Sequence, residues 1–92
     1  MEKVTIWDDV SFIISSDYRK KVLQELNNPK TPSNLSLSLN INKTHISRAL
    51  GELSNKNLVK CLTPASKKGR LYIISEYGEK VLKKVISQER NS

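Results

Sequence analysis

The chain has 92 residues, of which 37% are hydrophobic and 27% are charged, a balance that excludes a disordered or fibrous protein. Its length predicts one domain over residues 1–92 and excludes a catalytic domain joined to a regulatory one. The sequence has no run of about 18 apolar residues and no signal-peptide pattern, so we expect a cytoplasmic protein without membrane contact. One cysteine and one histidine are too few for a disulfide or a zinc site.

The excess positive charge is concentrated in one segment. The net charge is +7, and residues 43–70 carry seven basic side chains against one acid, a balance of +6. The other 64 residues carry nine basic and eight acidic side chains, a balance of +1. A polyanion such as DNA would dock on the basic segment. Some basic proteins segregate their charge without binding nucleic acid, so charge alone only favours this partner.

Two amphipathic helices are predicted before residue 30. The first covers residues 4–14, where regularly spaced apolar side chains share one face and cover the core. That face carries Trp7, Val10, Ile13 and Ile14. The second begins after Ser16, a suitable N-cap, with Asp17 favourable in its first turn, and ends at the Asn-Asn-Pro of residues 27–29. Its inward face carries Tyr18, Val22, Leu23 and Leu26.

The next helix has a start signal with a physical basis. The hydroxyl of Thr31 can cap free backbone amides, and Pro32 at the first helical position lacks only an N–H that needs no partner there. Leu35 and Leu39 then follow at i and i+4, which predicts that both face the core.

The segment LNINKTHISRALGELSNKNLV, residues 39–59, predicts the turn and second helix of a helix-turn-helix. A polar turn at residues 40–42 leads into a helix over about residues 43–56. Asn42 can cap the start of this helix, and Asn57, which tolerates the left-handed conformation, can end it. The core face of the helix carries Ile46, Leu50 and Leu53.

A β-hairpin with a basic tip follows, because alternating apolar residues flank a turn at residues 64–69. These residues are Leu58, Val59, Cys61 and Leu62 before the turn and Leu71, Ile73 and Ile74 after it. Ser75 can cap a final helix, whose apolar stripe is Tyr77, Val81, Leu82, Val85 and Ile86. The predicted fold class is mainly α with a small β-hairpin (α+β), a winged helix-turn-helix with a C-terminal wing and a final helix.

The first two turns of the second helix of the motif, the recognition helix, carry the predicted base contacts. With the core face turned inward, the exposed surfaces carry Lys43, Thr44, His45, Ser47 and Arg48. Arg48 is the strongest candidate, because a guanidinium can bond to guanine N7 and O6 together and discriminate by about 1–3 kcal/mol. Thr44 and Ser47 also fit ordinary polar surface residues. For His45 two interpretations are equally favoured. It contacts a base, or it is a first-turn side chain without a target.

Two further segments carry predicted phosphate contacts. Three long cations surround Gly69 at the wing tip and are expected to reach a phosphate or the minor groove; they are Lys67, Lys68 and Arg70. Lysines at a hairpin tip also serve solubility, so this signal gains weight only beside the basic helix. In the helix that starts at Pro32, Ser33 and Asn34 are expected to bind a phosphate through free backbone amides.

Other conspicuous residues receive plainer interpretations. Asp8 and Asp9 are expected to be first-turn charges of their helix. Gly51 lowers the stability of the recognition helix by about 1 kcal/mol relative to Ala, which favours a close approach of DNA or of another helix. A Cys61–His45 nucleophile pair is not predicted, because a strand and an exposed helix face separate the two and no third residue orients the imidazole. We therefore predict no catalytic residue, cofactor or metal.

The sequence resembles a known group of regulators. Residues 39–59 resemble the helix-turn-helix of the MarR and ArsR winged-helix regulators, and GRLYIISEYGEKVL, residues 69–82, resembles their strand, cap and final helix. Residues 15–85, with SSDYRKKVLQEL and KCLTP, are most similar to small archaeal winged-helix transcriptional regulators. The resemblance implies DNA contacts by Lys43, Thr44, His45, Ser47 and Arg48 and by Lys67, Lys68 and Arg70. The cysteine pair of metal-sensing ArsR proteins and the long dimerisation helices of MarR proteins are absent, and Leu37 occupies a position that is usually polar.

Two functions of different classes follow. The first is a sequence-specific double-stranded DNA-binding transcriptional regulator, with the recognition helix in the major groove and the wing, about residues 63–70, on the backbone or in the minor groove. One module buries only about 600–1,000 Å², so we expect a homodimer through the N- and C-terminal helices, with no identifiable small-molecule ligand. That the apolar stripe of the final helix only completes the monomer core is the less favoured interpretation. The alternative is a winged-helix adaptor that meets an acidic protein in a transcription or RNA-processing assembly. RNA binding is less favoured, because few aromatic residues accompany the basic patch.

Overall fold

Five helices and one hairpin follow one another in the predicted order. The computed structural model describes residues 5–90. In chain order the elements are α1 (Ile6–Ile14), α2 (Asp17–Glu25), α3 (Pro32–Leu39), α4 (Lys43–Asn55), β1 (Val59–Cys61), β2 (Tyr72–Ile74) and α5 (Glu76–Arg90). The structure confirms the predicted fold class, a mainly helical winged helix with a two-stranded antiparallel hairpin. The start of the first predicted helix at Val4 lies outside the described residues.

The predicted side-chain caps are confirmed at four helix starts. Each cap accepts a hydrogen bond from a first-turn amide, which stabilises a helix by about 1 kcal/mol. The pairs are Ser16 Oγ with Arg19 N at 3.4 Å, Thr31 Oγ1 with Asn34 N at 3.1 Å, Asn42 Oδ1 with Thr44 N at 2.8 Å and Ser75 Oγ with Gly78 N at 2.9 Å. Local chemistry therefore sets where these helices begin.

Two asparagines in the left-handed conformation follow the two helices of the helix-turn-helix. Asn40 ends α3 with φ 55° and ψ 46°, and Asn57 follows α4 with φ 60°. Asparagine is the residue other than glycine that adopts this left-handed conformation most readily, because its short polar side chain bonds locally. The turn between α3 and α4 is therefore built without glycine.

The core lies where α2 packs against α4, α3 against α4, and α1 against both α2 and α5. Every helix and the entry to β1 contribute to it. The fully buried large side chains are Ile13, Val22, Leu23, Leu26, Leu35, Ile46, Leu53, Leu58, Val81 and Val85. Leu39 is only partly buried against this core, although its spacing predicted an inward position.

The strands of the hairpin are shorter than predicted, and β2 also pairs with Lys30 outside the hairpin. Cys61 lies opposite Tyr72 in the antiparallel pair, and Tyr72 also exchanges two backbone hydrogen bonds with Lys30, at 2.9 and 3.0 Å. Ile74 N donates to Leu26 O at 2.9 Å, which ties the base of the hairpin to the end of α2. The wing therefore starts from an anchored base.

Asp8 and Asp9 both lie in the first turn of α1, as predicted, and Asp9 has further contacts. Asp8 closes a capping box with Thr5, but Asp9 is buried with only 3% of its surface exposed. Its carboxylate accepts a hydrogen bond from the Tyr77 hydroxyl on α5 and lies 3.7 Å from Lys56 Nζ at the end of α4. Asp9 thus joins three helices in the tertiary structure.

Candidate nucleic-acid interface

The exposed surface of α4 carries all five residues predicted for base contact. The helix turns four side chains into the core, Ile46, Ala49, Leu50 and Leu53. The remaining surface of its first two turns is exposed and carries Lys43, Thr44, His45, Ser47 and Arg48. A helix embedded on one side and polar and cationic on the other is the element that enters a major groove in helix-turn-helix proteins.

Arg19, which sequence reasoning missed, joins α2 to the surface of α4 beside Arg48. Its Nε and Nη2 donate to the two carboxylate oxygens of Glu52 at 3.2 and 3.0 Å. Its Nη1 donates to Phe12 O at 3.0 Å and to Ser15 Oγ at 3.1 Å, and the guanidinium lies 3.9 Å from the Phe12 ring centroid. One arginine therefore joins α1, α2 and α4. The signal for it was the single acid within the basic segment, which shows that a partner is needed but not which residue supplies it.

The same ion pair keeps Glu52 ionised and neutralises its charge within the exposed face of α4. The hydrogen bond from Arg19 lowers the pKa of Glu52, and the charges of Arg19 and Arg48 act in the same direction against partial desolvation. Glu52 is thus ionised and already bonded through both oxygens. Arg48, four residues earlier on the same helix, is exposed.

A basic cleft of about 500 Å³ lies between α3, α4 and the wing. It brings together predicted residues from three separate segments of the chain. Its lining residues are Thr31, Pro32, Ser33, Lys43, Lys67, Lys68, Gly69, Arg70 and Tyr72. Four of these side chains are cations, so the cleft has the charge that a phosphate backbone requires.

The wing tip has its own internal order. Arg70 Nε donates to Ser66 O at 2.8 Å, Thr63 Oγ1 accepts from Leu71 N at 3.0 Å, and Gly69 adopts φ 64°. The Ser66 hydroxyl bonds to Lys68 O. Arg70 thus braces the turn with one edge of its guanidinium, whereas the two exposed lysines of the tip have no such structural task among these contacts.

The two residues predicted at the start of α3 differ in what they offer. The backbone N–H of Asn34 donates to Thr31 Oγ1, and the side-chain Oδ1 of Asn34 accepts from the Thr31 hydroxyl at 2.9 Å. The expectation of a free amide at Asn34 is therefore wrong, because the capping box uses it. Ser33 is exposed and lines the basic cleft beside Lys43.

His45 is stacked on Tyr18, a residue that was predicted to face the core. The two ring centroids lie 4.9 Å apart with 28° between the ring planes. Tyr18 is 41% exposed, because the first turn of α2 lies beside the exposed first turn of α4 and not under it. A second cleft, of about 300 Å³, lies here between α2 and α4.

The apolar stripe of α5 is divided between the core and the surface. Val81 and Val85 are fully buried, whereas Ile86 is 38% exposed. On α1, Trp7 and Ile14 are 49% and 48% exposed. The stripe therefore completes the monomer core and leaves an apolar rim on the terminal helices.

Two further features bear on the sequence-based expectations. Gly51 lies on the exposed side of α4, and a Cβ there would meet nothing within 4 Å, so no neighbouring helix of this chain requires the glycine. None of the helices in residues 5–90 combines the length and the apolar character that a membrane crossing requires.

Comparisons with known proteins define the fold. No protein-family model and no curated protein matches the sequence. Among solved structures, a MarR family transcription regulator is similar with a TM-score of 0.75 at 19% identity, over 94% of this chain and 59% of that one. A transcriptional regulator from Thermotoga maritima is similar with a TM-score of 0.71 at 22% identity, over 94% and 66%.

A third structure matches this chain in length as well. TubR bound to 24 bp of tubC, from Bacillus thuringiensis serovar israelensis, has a TM-score of 0.79 at 11% identity, over 96% of this chain and 99% of that one. The chain thus spans about three fifths of the MarR-family structure and nearly all of TubR. At these identities the similarity concerns the fold alone. We conclude that this chain has a winged-helix fold similar to that of MarR-family transcription regulators.

Proposed function

We propose that this chain is a sequence-specific double-stranded DNA-binding transcriptional regulator that acts in the cytoplasm as a single winged-helix domain. The observation that carries the proposal is the convergence of cations from separate segments on one face. Lys43 at the start of α4 shares a cleft with the wing residues Lys67, Lys68 and Arg70, and Arg48 lies further along α4, at the second cleft. A solvated surface has no need of such convergence, whereas a phosphate backbone does.

The proposed docking follows from the element positions. The first two turns of α4 enter the major groove, where Arg48 reads a guanine and Thr44, His45 and Ser47 supply further donors and acceptors. The wing lysines lie on the adjacent backbone or in the minor groove, and Ser33 adds a contact at the start of α3. The MarR-family and TubR structures are consistent with this use of the fold.

We further propose that the regulator acts as a homodimer through α1 and α5. Three of the exposed large apolar side chains lie on these helices, namely Trp7, Ile14 and Ile86. One module buries only about 600–1,000 Å² on DNA, and two modules on half-sites about 34–36 Å apart would read a longer sequence. A two-fold-symmetric operator is the expected consequence.

The first test measures binding by fluorescence anisotropy against a random duplex pool at two salt concentrations, followed by selection and sequencing of the bound duplexes. We expect a steep fall of affinity with salt and an enriched motif with two-fold symmetry. Absence of duplex binding by the unmodified protein at low salt would contradict the proposal and favour the adaptor function, in which the basic face meets an acidic protein.

Single substitutions separate reading from backbone contact. Arg48→Ala is expected to relax specificity at one base position by about 1–3 kcal/mol. Lys68→Ala is expected to weaken binding to all duplexes alike and to lower the salt slope by about 1 for each phosphate that is no longer neutralised. Lys21→Ala is the matched control, because Lys21 is an exposed lysine on α2 that lines neither cleft and lies outside the proposed dimer helices.

A further inference from the structure

Two aromatic rings meet at the edge of α4 that lies away from the wing. Tyr18 belongs to the first turn of α2 and His45 to the first turn of α4, and both side chains are exposed. Their ring centroids are 4.9 Å apart and their planes 28° apart, the geometry of a stacked pair. Such pairs attract by about 0.5–1.5 kcal/mol beyond the apolar area they bury. The core is closed without either ring, so packing does not explain why they meet.

The stack restricts a side chain that otherwise moves freely. An exposed imidazole on a helix surface samples several rotamers, and a ligand that fixes it must oppose that loss of entropy. Tyr18 holds the ring of His45 before any ligand binds. His45 lies between Lys43 and Arg48 in the part of the recognition helix that enters the groove. A fixed imidazole there presents its ring nitrogens in one direction, as a base edge requires.

The surroundings of the pair favour a base over a phosphate as its target. The cleft beside the pair is lined by two cations, Arg19 and Arg48, and by Glu52, whose carboxylate is bonded to Arg19. Arg48 is thus the one cation of this lining outside that ion pair, whereas the cleft on the wing side is lined by four cations and attracts a phosphate more strongly. The two edges of the recognition helix therefore differ in chemistry.

We propose that Tyr18 is a positioning residue of the DNA interface, which stacks on His45 and holds its imidazole for a base contact that contributes to sequence specificity. The inference rests on the proposed function, since it needs a DNA-bound α4. It assigns a role to a residue outside the recognition helix and the wing, and it resolves the two interpretations of His45 in favour of a base contact.

A double-mutant cycle tests the inference. Dissociation constants are measured for the selected duplex and for a shuffled duplex of equal composition, using the full chain and its variants Tyr18→Ala, His45→Ala and the double substitution. We expect Tyr18→Ala to weaken the selected complex by about 2- to 10-fold and to leave the shuffled complex unchanged. The double variant should bind no more weakly than His45→Ala alone, because Tyr18 acts through His45. Tyr18→Phe keeps the ring and should retain the unmodified affinity.

Other outcomes overturn the inference. Additive losses in the cycle, or an equal loss on both duplexes, would show that Tyr18 acts independently of His45. A loss with Tyr18→Phe as large as with Tyr18→Ala would assign the effect to the hydroxyl and not to the stack. Circular dichroism checks the fold of each variant, and Tyr18→Leu replaces the alanine variant if that one unfolds. Failure of the unmodified protein to bind any duplex would refute the proposed function itself, whereas unmodified affinity in Tyr18→Ala refutes only this inference.

Discussion

The same substitution, glycine to alanine, is expected to change stability in opposite directions in two helices of this protein. Gly51 lies in α4 and Gly78 in α5. Inside a helix, alanine is favoured over glycine by about 0.5–1 kcal/mol, because glycine loses more backbone entropy on folding. At Gly51 a Cβ would meet nothing within 4 Å, so the whole gain is kept. At Gly78 the new atom meets the backbone of the hairpin.

The contact at Gly78 decides the sign there. A Cβ would lie 2.0 Å from Leu58 O and 2.8 Å from Ile74 Cγ1. Leu58 is fully buried, and its carbonyl already accepts a hydrogen bond from Ser75 N at 3.0 Å, so it cannot shift without breaking that bond. Overpacking of this kind destabilises by about 1–3 kcal/mol, and the upper end applies because the obstacle is backbone. After the gain in helix propensity, the net loss is about 2 kcal/mol.

Thermal unfolding followed by circular dichroism measures both variants against the unmodified protein. For a domain of this size 1 kcal/mol corresponds to about 4–8 °C in Tm. Gly51→Ala should therefore raise Tm by about 2–8 °C and Gly78→Ala lower it by about 8–16 °C. A Gly78→Ala protein with an unchanged or higher Tm would refute the reasoning. The DNA affinity of the stabilised Gly51→Ala protein then tests the remaining reason for this glycine, a close approach of the duplex to α4, which predicts weaker binding.

Four further outcomes are expected. Arg19→Met should lower the stability of the fold and also weaken DNA binding, because it frees Glu52 to pair with Arg48. Adding Glu52→Gln to this variant should restore DNA binding but not stability. An Arg19→Met protein that binds DNA as tightly as the unmodified protein would contradict this. In the folded chain the pKa of Glu52 lies below its usual value of 4.5. The stabilisation of the fold by ionised Glu52 should therefore be complete above pH 4.5 and be lost as the pH falls through the lowered pKa. Urea unfolding of Glu52→Gln and of the unmodified protein at several pH values measures this loss. Burial, with the hydrogen bond to Asp9, raises the pKa of Tyr77 to about 12. The contribution of Tyr77 to stability should therefore be present below the ordinary tyrosine pKa of 10 and be lost as the pH rises toward 12. In an ultraviolet titration, the phenol that ionises late in the unmodified protein should be missing from Tyr77→Phe. Trp7→Ser should shift the sedimentation of the protein toward the monomer, and an unmodified protein that sediments as a monomer at high concentration would contradict the proposed dimer.

Short-range patterns in the sequence determined the helices and their limits. Thr31 before Pro32, Asn42 before Lys43, and Ser75 before Glu76 each set a helix start, because a cap needs only an amide two or three residues away. The spacing of the buried residues determined which face of α4 is exposed, since a helix repeats every 3.6 residues whatever it packs against. The exposed positions of the candidate contact residues on α4 and the wing could therefore be predicted.

Contacts between distant residues were decided only by the tertiary structure. Arg19 and Glu52 are 33 positions apart, and Asp9 and Tyr77 are 68 apart. No periodicity relates such residues, because their distance depends on how the helices cross. Tyr18 has the correct spacing for the core, yet the position of α2 beside α4 places it on His45. The sequence by itself determined local backbone, helix faces and the location of charge, whereas packing decided which charges are paired, which glycine is required and which rings stack, since these depend on contacts between elements that local interactions do not specify.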